Sequence, residues 1–461
     1  MKKIGKLRTY NSKQIKNSRI SIGFECLDRD MFKAEKCYDA MAEAGIKYAR
    51  VQTGWAKCEK ESGVYDFAWL DEIVNNLIER NICPWFNVGF GNPLYMDAPT
   101  PAAVGCVPTL FGEEATEAWQ KYVCALTEHF KDRISEYEVW NEPDIAHFWH
   151  PQQPDPQKYA EFFSLTAKAI RGVYNNAKIA LNITGVEKLS YADSVFKSIA
   201  PNEANIFTFH FYGRFPELGY FEYMHNFRKI LKKYGHTETV IWQGESGMPS
   251  WAPENHSLKL DPCAVDERRQ AVYLLRRFTL DHASDCERTS FFQMADMMEK
   301  PYPMASLVQK SPARHGLLNG LTYTKKKSFE AMQIAVSVFS GNIYLSDKLF
   351  WGKIDNDRAE DGLLAACYSF SRNWRDMFVY YKKSDIGLAQ RTTWDFTAFL
   401  NGLDGELTIQ NPVLIDAFTG YVYKISAEQI DYWCGNMLIR GLPFADYPCI
   451  ICDESDFEIV E

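Results

Sequence analysis

The chain has 461 residues, 46% hydrophobic and 15% aromatic, and a formal net charge of −9. The length exceeds one ordinary core and predicts two domains, while the apolar content predicts well-packed globular structure. The acidic balance argues against nucleic-acid and anionic-membrane partners and suits a neutral small molecule.

The chain opens on a basic stretch, Met1 to Lys6, with no apolar run of signal-peptide length behind it and no later run able to span a bilayer. Its 12 cysteines are scattered, and several, such as Cys83 and Cys124, lie in apolar runs where a thiol behaves as a small hydrophobe. The expectation is a cytoplasmic protein with reduced thiols.

From about Ser21 to Phe339 short apolar runs alternate with amphipathic stretches, the pattern of parallel strands joined by crossover helices. The predicted strands are Ser21–Glu25, Tyr48–Gln52, Cys83–Gly89, Glu136–Trp140, Ile179–Thr184, Ile206–Tyr212, Val240–Glu245 and Thr289–Met294. That number closes a (β/α)8 barrel, an α/β fold whose interior side chains just fill it. The predicted helices include Phe32–Ala44, Trp69–Arg80, Glu113–Lys131, Gln157–Asn175, Glu217–Tyr234, Val265–Ala283 and, closing the ring, Lys327–Phe339. After Ser340 helical periodicity fades. Short β-rich runs follow (Leu363–Phe370, Met377–Tyr381, Leu407–Ile409 and Met437–Arg440), with the hairpin-type dipeptides Asn401-Gly402 and Asp404-Gly405 between them. The expected division is a catalytic barrel over 19–339 and a β-sandwich over 340–461, with residues 1–18 adding a strand to it.

Candidate chemistry follows from the strand ends, because barrel active sites sit at the C-terminal ends of the strands. Strand 2 supplies Arg50, with Trp55 beyond it, and the loop after strand 3 supplies Asn92. Strand 4 runs into Trp140-Asn141-Glu142-Pro143, which sets a carboxylic acid beside an amide donor. Strand 6 brings His210 and Tyr212, strand 7 ends on Glu245, and strand 8 on Gln293 and Asp296. Two acids on different strands of one barrel are what glycosidic cleavage needs. Glu142 would protonate the leaving oxygen and Glu245 would attack the sugar. A retaining mechanism sets their carboxyl groups about 5–5.5 Å apart.

Around that pair, Asn141 can donate to the sugar 2-hydroxyl, Tyr212 can hold Glu245, and Trp55, Trp149 and Trp251 can stack on sugar faces. His210 fits either a core histidine or a sugar ligand, and Arg50 either a structural ion pair or a site residue. Asp296 fits a loop residue equally well. His147 and His150 lack the spacing of a zinc helix, so neither metal nor cofactor is expected. Cys449-Ile450-Ile451-Cys452 has redox-motif spacing inside a β-like run, which fits buried strand residues better.

These motifs resemble those of the clan A glycoside hydrolases, retaining barrels with Asn-Glu on strand 4 and Glu on strand 7. Within them the chain is most similar to glycoside hydrolase family 39 and its β-xylosidase-like members. The likeness rests further on Val64-Tyr65-Asp66-Phe67, on Gly91-Asn92-Pro93-Leu94-Tyr95 and on Phe209-His210-Phe211-Tyr212. It implies Glu142 as acid/base, Glu245 as nucleophile and a β-sandwich beside the barrel. The sequence departs from the clan in strand 8, Phe291-Phe292-Gln293-Met294, where many members place a Trp under the reacting sugar.

The expected substrate is a short β-xyloside or β-glucoside taken from its end, with Gly247–Pro262 and Asp296–Ala313 walling the cleft. Transglycosylation, endo-action and a sugar-binding protein without activity use the same residues. A homo-oligomer is compatible with the sequence.

Overall fold

A computed structural model describes the chain except for residues 186–188, 251–263, 298–312, 355–364, 389–391 and 403–406. Eight parallel strands close a barrel, numbered here β1 (Ile20–Gly23), β2 (Tyr48–Gln52), β3 (Cys83–Val88), β4 (Glu136–Val139), β5 (Lys178–Ile183), β6 (Ile206–His210), β7 (Val240–Ser246) and β8 (Arg288–Phe291), with β8 pairing back on β1. A helix follows each strand: Tyr38–Glu43, Ala68–Glu79, Glu113–Phe130, Pro156–Val173, Leu189–Ser198, Tyr220–Lys233, Glu267–Ala283 and Lys327–Val338. The first is half its expected length, because a 3₁₀ turn over Ala34–Lys36 takes up the preceding stretch.

Local signals explain the helix starts. Asp155 accepts from the backbone N–H groups of Gln157 at 2.9 Å and Lys158 at 3.2 Å, and Pro156 takes the first turn, where its missing N–H costs nothing. Asp266 caps Glu267–Ala283 in the same way. That last helix is buried from Gln270 to its end, Arg276 and Arg277 included, because it is covered on both sides.

Alternation along each strand sorts the side chains. Ala49 and Val51 of β2 join the large apolar core, while Arg50 turns into the barrel. The barrel floor is apolar, with Trp85 packed edge-on to Trp242 at 5.4 Å. The layer above it is polar and dry: Arg50, Asn87, Glu138, Asn182 and Thr208 are all fully buried.

The second unit consists of antiparallel strands. An eight-stranded sheet runs in the order Ile343–Leu345, Ala365–Arg372, Arg375–Lys382, Cys449–Asp453, Pro412–Asp416, Tyr421–Lys424, Lys2–Leu7 and Ile459–Val460. A four-stranded sheet runs Phe350–Ile354, Thr393–Leu400, Asn436–Phe444 and Ile430–Trp433. The N-terminal strand Lys2–Leu7 therefore pairs with residues near the other end of the chain. Asp404-Gly405 lies outside the described residues. Cys449 and Cys452 are both buried and lie three residues apart on one strand, so they face opposite sides and serve different cores. Among the described residues no helix is long and apolar enough to cross a membrane.

Candidate active site

The site forms where the polar layer reaches the C-terminal rim, and Arg50 is its centre. The Arg50 guanidinium donates to Glu138 at 2.7 Å, Glu25 at 2.9 Å, Glu245 at 2.7 Å and the Asn141 carbonyl oxygen at 2.9 Å. Its side chain is fully enclosed and its donors are spent on protein. The site role expected for Arg50 is thus realised through its neighbours and not as a sugar contact. It orients Asn141, turning the amide nitrogen away from the guanidinium, and it faces Glu245.

Backbone geometry sets the two acids. Trp140 (φ 70°) and Glu142 (φ 47°) both adopt the left-handed region, which L-residues with bulky side chains rarely occupy. Two asparagines hold this turn: Asn87 donates to the Trp140 carbonyl at 2.6 Å, and the Asn182 carbonyl accepts the Glu142 N–H at 2.6 Å. On β7 the pairing register shifts between Gln243 and Glu245. Trp242 points into the barrel, so strict alternation would make Gly244 the next inward residue and Glu245 an outward one; the shift turns Glu245 inward as well. A side chain at 244 would meet Thr208 Cβ at 3.1 Å and both Glu138 Oε1 and His210 Cδ2 at 3.4 Å, which is why glycine fits there.

One oxygen of Glu142, one oxygen of Glu245 and a ring nitrogen of His210 lie within 4.8 Å of one another. His210 Nδ1 is 2.8 Å from Glu142 Oε1 and 3.7 Å from Glu245 Oε2. The Asn182 amide fixes the tautomer. Its oxygen is occupied by the Glu142 N–H, so its nitrogen, 2.9 Å from His210 Nε2, must donate there. Nδ1 then carries a proton that points at Glu142. A cation at this triad would have to displace that proton and sit close to Arg50, which the charges oppose. The expected absence of a metal rests on that argument for these three residues.

The two acids are driven apart in acidity. Burial pushes Glu142 above the usual carboxylate range, only partly offset by the hydrogen bond and charge of His210, and the nearby Glu245 adds to the rise. Burial acts the same way on Glu245, but the His210 imidazole, the Arg50 guanidinium and the Tyr212 hydroxyl, donating at 2.6 Å, outweigh it and hold Glu245 below that range. Such splitting is the mark of an acid–base pair.

The other expected contacts divide. Gln293, two residues past the end of β8, is fully buried, and among the described residues neither of its amide atoms has a hydrogen-bond partner, which suits a group awaiting one. Trp55 and Asn92 require correction. Trp55 is fully buried with Tyr95 stacked at 5.4 Å and Tyr122 at 5.5 Å, so no face is left for a sugar. Asn92 donates to the Glu59 carbonyl at 2.8 Å and accepts from the Leu94 N–H at 3.0 Å, shaping its own loop. Trp149 is likewise enclosed. Asp296 accepts from Lys326 Nζ at 3.0 Å and from the Gly316 N–H at 2.7 Å, a loop latch. Trp251 lies outside the described residues, as do most of Gly247–Pro262 and Asp296–Ala313.

Four residues that the sequence reading missed belong here. Glu138 and Asn182 alternate with apolar neighbours on β4 and β5, a signal that was available. Glu25 closes the predicted first strand, Ser21–Glu25, so the strand-end rule reached it as well; His315 had no such signal. The His315 ring stands edge-on to Tyr212 at 6.3 Å and to Phe292 at 5.4 Å. Glu25 is enclosed, with Oε2 unpaired.

One guanidinium thus faces three carboxylates, Glu25, Glu138 and Glu245. Burial raises the Glu25 carboxyl to about 7, against the opposing pull of Arg50. Between its ordinary 4.5 and about 7 the folded protein holds this proton more tightly than the unfolded chain does. Stability should therefore fall as pH rises through that window and level off above it. Glu25→Gln should remove that slope, measured as the urea midpoint at a series of pH values. An unchanged slope would place the proton on another group.

The family model for glycosyl hydrolases family 39 matches residues 30–410 of this chain. The chain belongs to glycosyl hydrolase family 39. This family 39 enzyme is 28% identical over 122 residues to a β-xylosidase of Geobacillus stearothermophilus; the match covers 24% of this chain and 22% of that relative's length. Its fold is similar to that of a family 39 glycoside hydrolase from Bacteroides cellulosilyticus WH2, with TM-score 0.65, 16% identity, and 95% of this chain and 81% of the other covered. It is also similar to a family 39 β-xylosidase from Caulobacter crescentus (TM-score 0.55, 14% identity, 98% of each chain). A family 30 endoxylanase from Clostridium papyrosolvens C71 matches at TM-score 0.61 with 10% identity over 97% of each chain. Family 39 is a family of glycosyl hydrolases.

Proposed function

We propose that this enzyme is a retaining β-glycosidase acting on the ends of short glycosides, with β-xylosides the first candidates. The observation that carries the reading is the pairing of Glu142 and Glu245 oxygens within 4.8 Å, in surroundings that push the first acid's pKa up and the second's down. That separation suits direct attack better than a water placed between two distant carboxyl groups, for which inverting enzymes leave about 6.5–9.5 Å.

In the first step a Glu245 oxygen forms a bond to the anomeric carbon while the glycosidic C–O bond breaks. Glu142 passes its proton to the departing oxygen. His210 occupies Glu142 Oε1, which leaves Oε2 as the oxygen that carries the proton. In the second step Glu142, now a carboxylate, takes a proton from water. The water oxygen attacks the anomeric carbon, and the ester bond to Glu245 breaks. Asn141, held by Arg50 through its carbonyl oxygen, has its amide nitrogen free to donate to the 2-hydroxyl. The β-xylosidase relatives support xylose as the sugar. A panel of aryl glycosides that differ only in the sugar tests the reading; hydrolysis of none of them, or release of the inverted anomer, would sink it.

The pH–rate profile should be a bell. Activity should fall as pH drops through the low pKa of Glu245, which must be ionised to attack. It should fall again as pH rises through the raised pKa of Glu142, which must hold its proton. Tyr212→Phe removes a hydrogen bond that favours ionised Glu245, so the acidic limb should move to higher pH while the basic limb stays. An unmoved acidic limb would detach Tyr212 from Glu245.

A further inference from the structure

We propose that the C-terminal sandwich is a positioning element for Glu245, acting through residues 213–219, which join Tyr212 on the rim to the outer helix Tyr220–Lys233. The proposal rests on the reading of Glu245 given above. Tyr212 is 42% exposed; its hydroxyl donates to Glu245, and among the described residues His315 is its one aromatic neighbour, edge-on to the ring. The direction of that side chain, and so of its hydroxyl, is set in part by the backbone on either side. Upstream, β6 anchors it, with the Phe211 N–H donating to the Glu245 carbonyl at 3.2 Å.

Downstream, the anchors belong to the sandwich. The Ile386 N–H donates to the Arg214 carbonyl at 2.7 Å, and Arg214 Nε donates to Asp385 Oδ1 at 3.2 Å. The same Asp385 oxygen accepts the Gly387 N–H at 2.6 Å, which shapes the turn that receives Arg214. Gly387 is the contact surface itself: a Cβ there would overlap Arg214 Nη2, so a larger residue displaces the guanidinium.

Three residues further on, Glu217 forms a second anchor. It accepts from Arg276 Nε at 2.9 Å and from the Tyr381 hydroxyl of the sandwich at 3.0 Å, and Arg276 Nη2 donates onward to the Ser384 carbonyl at 2.8 Å. The Arg276 side chain is fully buried and that of Glu217 is 6% exposed. A buried ion pair adds little net stability but is costly to break on one side, so it serves as a register device. Phe221, at the start of the helix, meets Tyr368 of the sandwich at 5.9 Å. The segment that begins beside Tyr212 is thus gripped by the second unit at Arg214, Glu217 and Phe221. Arg214 and Glu217 are positioning residues that act on Glu245 through Tyr212.

A double-mutant cycle tests this on the full-length enzyme. Gly387→Ala and Tyr381→Phe are each made alone and combined with Tyr212→Phe. The readout is kcat/KM against pH, with an aryl glycoside that the wild type hydrolyses. A lost hydrogen bond to a charged group predicts a loss on the order of tenfold for Gly387→Ala, with the acidic limb displaced upward as in Tyr212→Phe. In the Tyr212→Phe background Gly387→Ala should add nothing, because the contact it disturbs is already gone. Equal proportional losses in both backgrounds, or an acidic limb left in place, would overturn the proposal and leave the sandwich as mere cover.

Should Gly387→Ala fail to fold, Arg214→Ala removes the same contact from a partly exposed position. Hydrogen exchange of the amides of 211–219 supplies a readout independent of turnover: protection there should drop in the Gly387 or Arg214 variant, and unchanged protection rejects the proposal. A glycosidase reading that fails shows up separately, as Glu245→Ala retaining activity.

Discussion

Glu245→Ala should reduce turnover by ten-thousandfold or more, on the order seen when a covalent nucleophile is removed. The side chain is held at three points, by Arg50, by Tyr212 and beside His210, and no other described carboxylate meets Glu142 across the same opening. Glu25 and Glu138 are both enclosed around Arg50 and cannot substitute for it. Added azide should restore activity, because a small anion fits the space of the missing carboxylate and attacks from the same face. The product should be the glycosyl azide of inverted configuration, with no remaining enzyme carboxylate to perform a second displacement. Detection of that azide by NMR checks the assignment. Near-normal activity of Glu245→Ala without azide would reject it.

Glu142→Gln should separate substrates by their leaving groups. An activated phenolate departs without a proton, so its first step should be little changed, whereas an alkoxide needs the acid. The loss on poor leaving groups should be about a hundredfold to ten-thousandfold. Gln preserves the shape and can still meet His210 Nδ1 through its carbonyl oxygen, so the effect isolates the proton from the packing. The measurement is kcat/KM across a series of aryl and alkyl glycosides, plotted against leaving-group acidity. A uniform loss across the series would assign Glu142 to orientation and not to proton transfer. The same variant should lose the basic limb of the pH profile, since the group that titrates there has gone.

Much of this site was legible in the chain. Strand periodicity located all eight barrel strands, and the barrel rule then directed attention to their C-terminal ends, where Glu142 and Glu245 lie 103 residues apart in sequence and within one opening in space. Tyr212 was assigned to Glu245 from its strand position, and the hydrogen bond is present. Trp55 misled because composition cannot tell an aromatic that faces a ligand from one stacked between two tyrosines. Asn92 misled because an amide in a loop caps its own backbone as readily as it meets a substrate. Glu25 stood at the end of the predicted first strand, but its chemistry exists only because Arg50, on the neighbouring strand, reaches it and Glu245 together.

By itself, the sequence determined the barrel, the β-rich second unit and the family resemblance, and it singled out the two acids proposed here, because each rests on periodicity or on a short motif that travels with its backbone. Tertiary structure alone decided the rest. It closed Arg50 among three carboxylates, set the His210 proton on Nδ1 through Asn182, turned Glu245 inward by a register shift at Gly244, and brought Asp385 and Tyr381 to the segment beside Tyr212. The physical reason is common to all four. Acidity, tautomer and side-chain direction are set by which groups meet at about 3 Å after folding, and such meetings between distant residues leave no trace in local spacing.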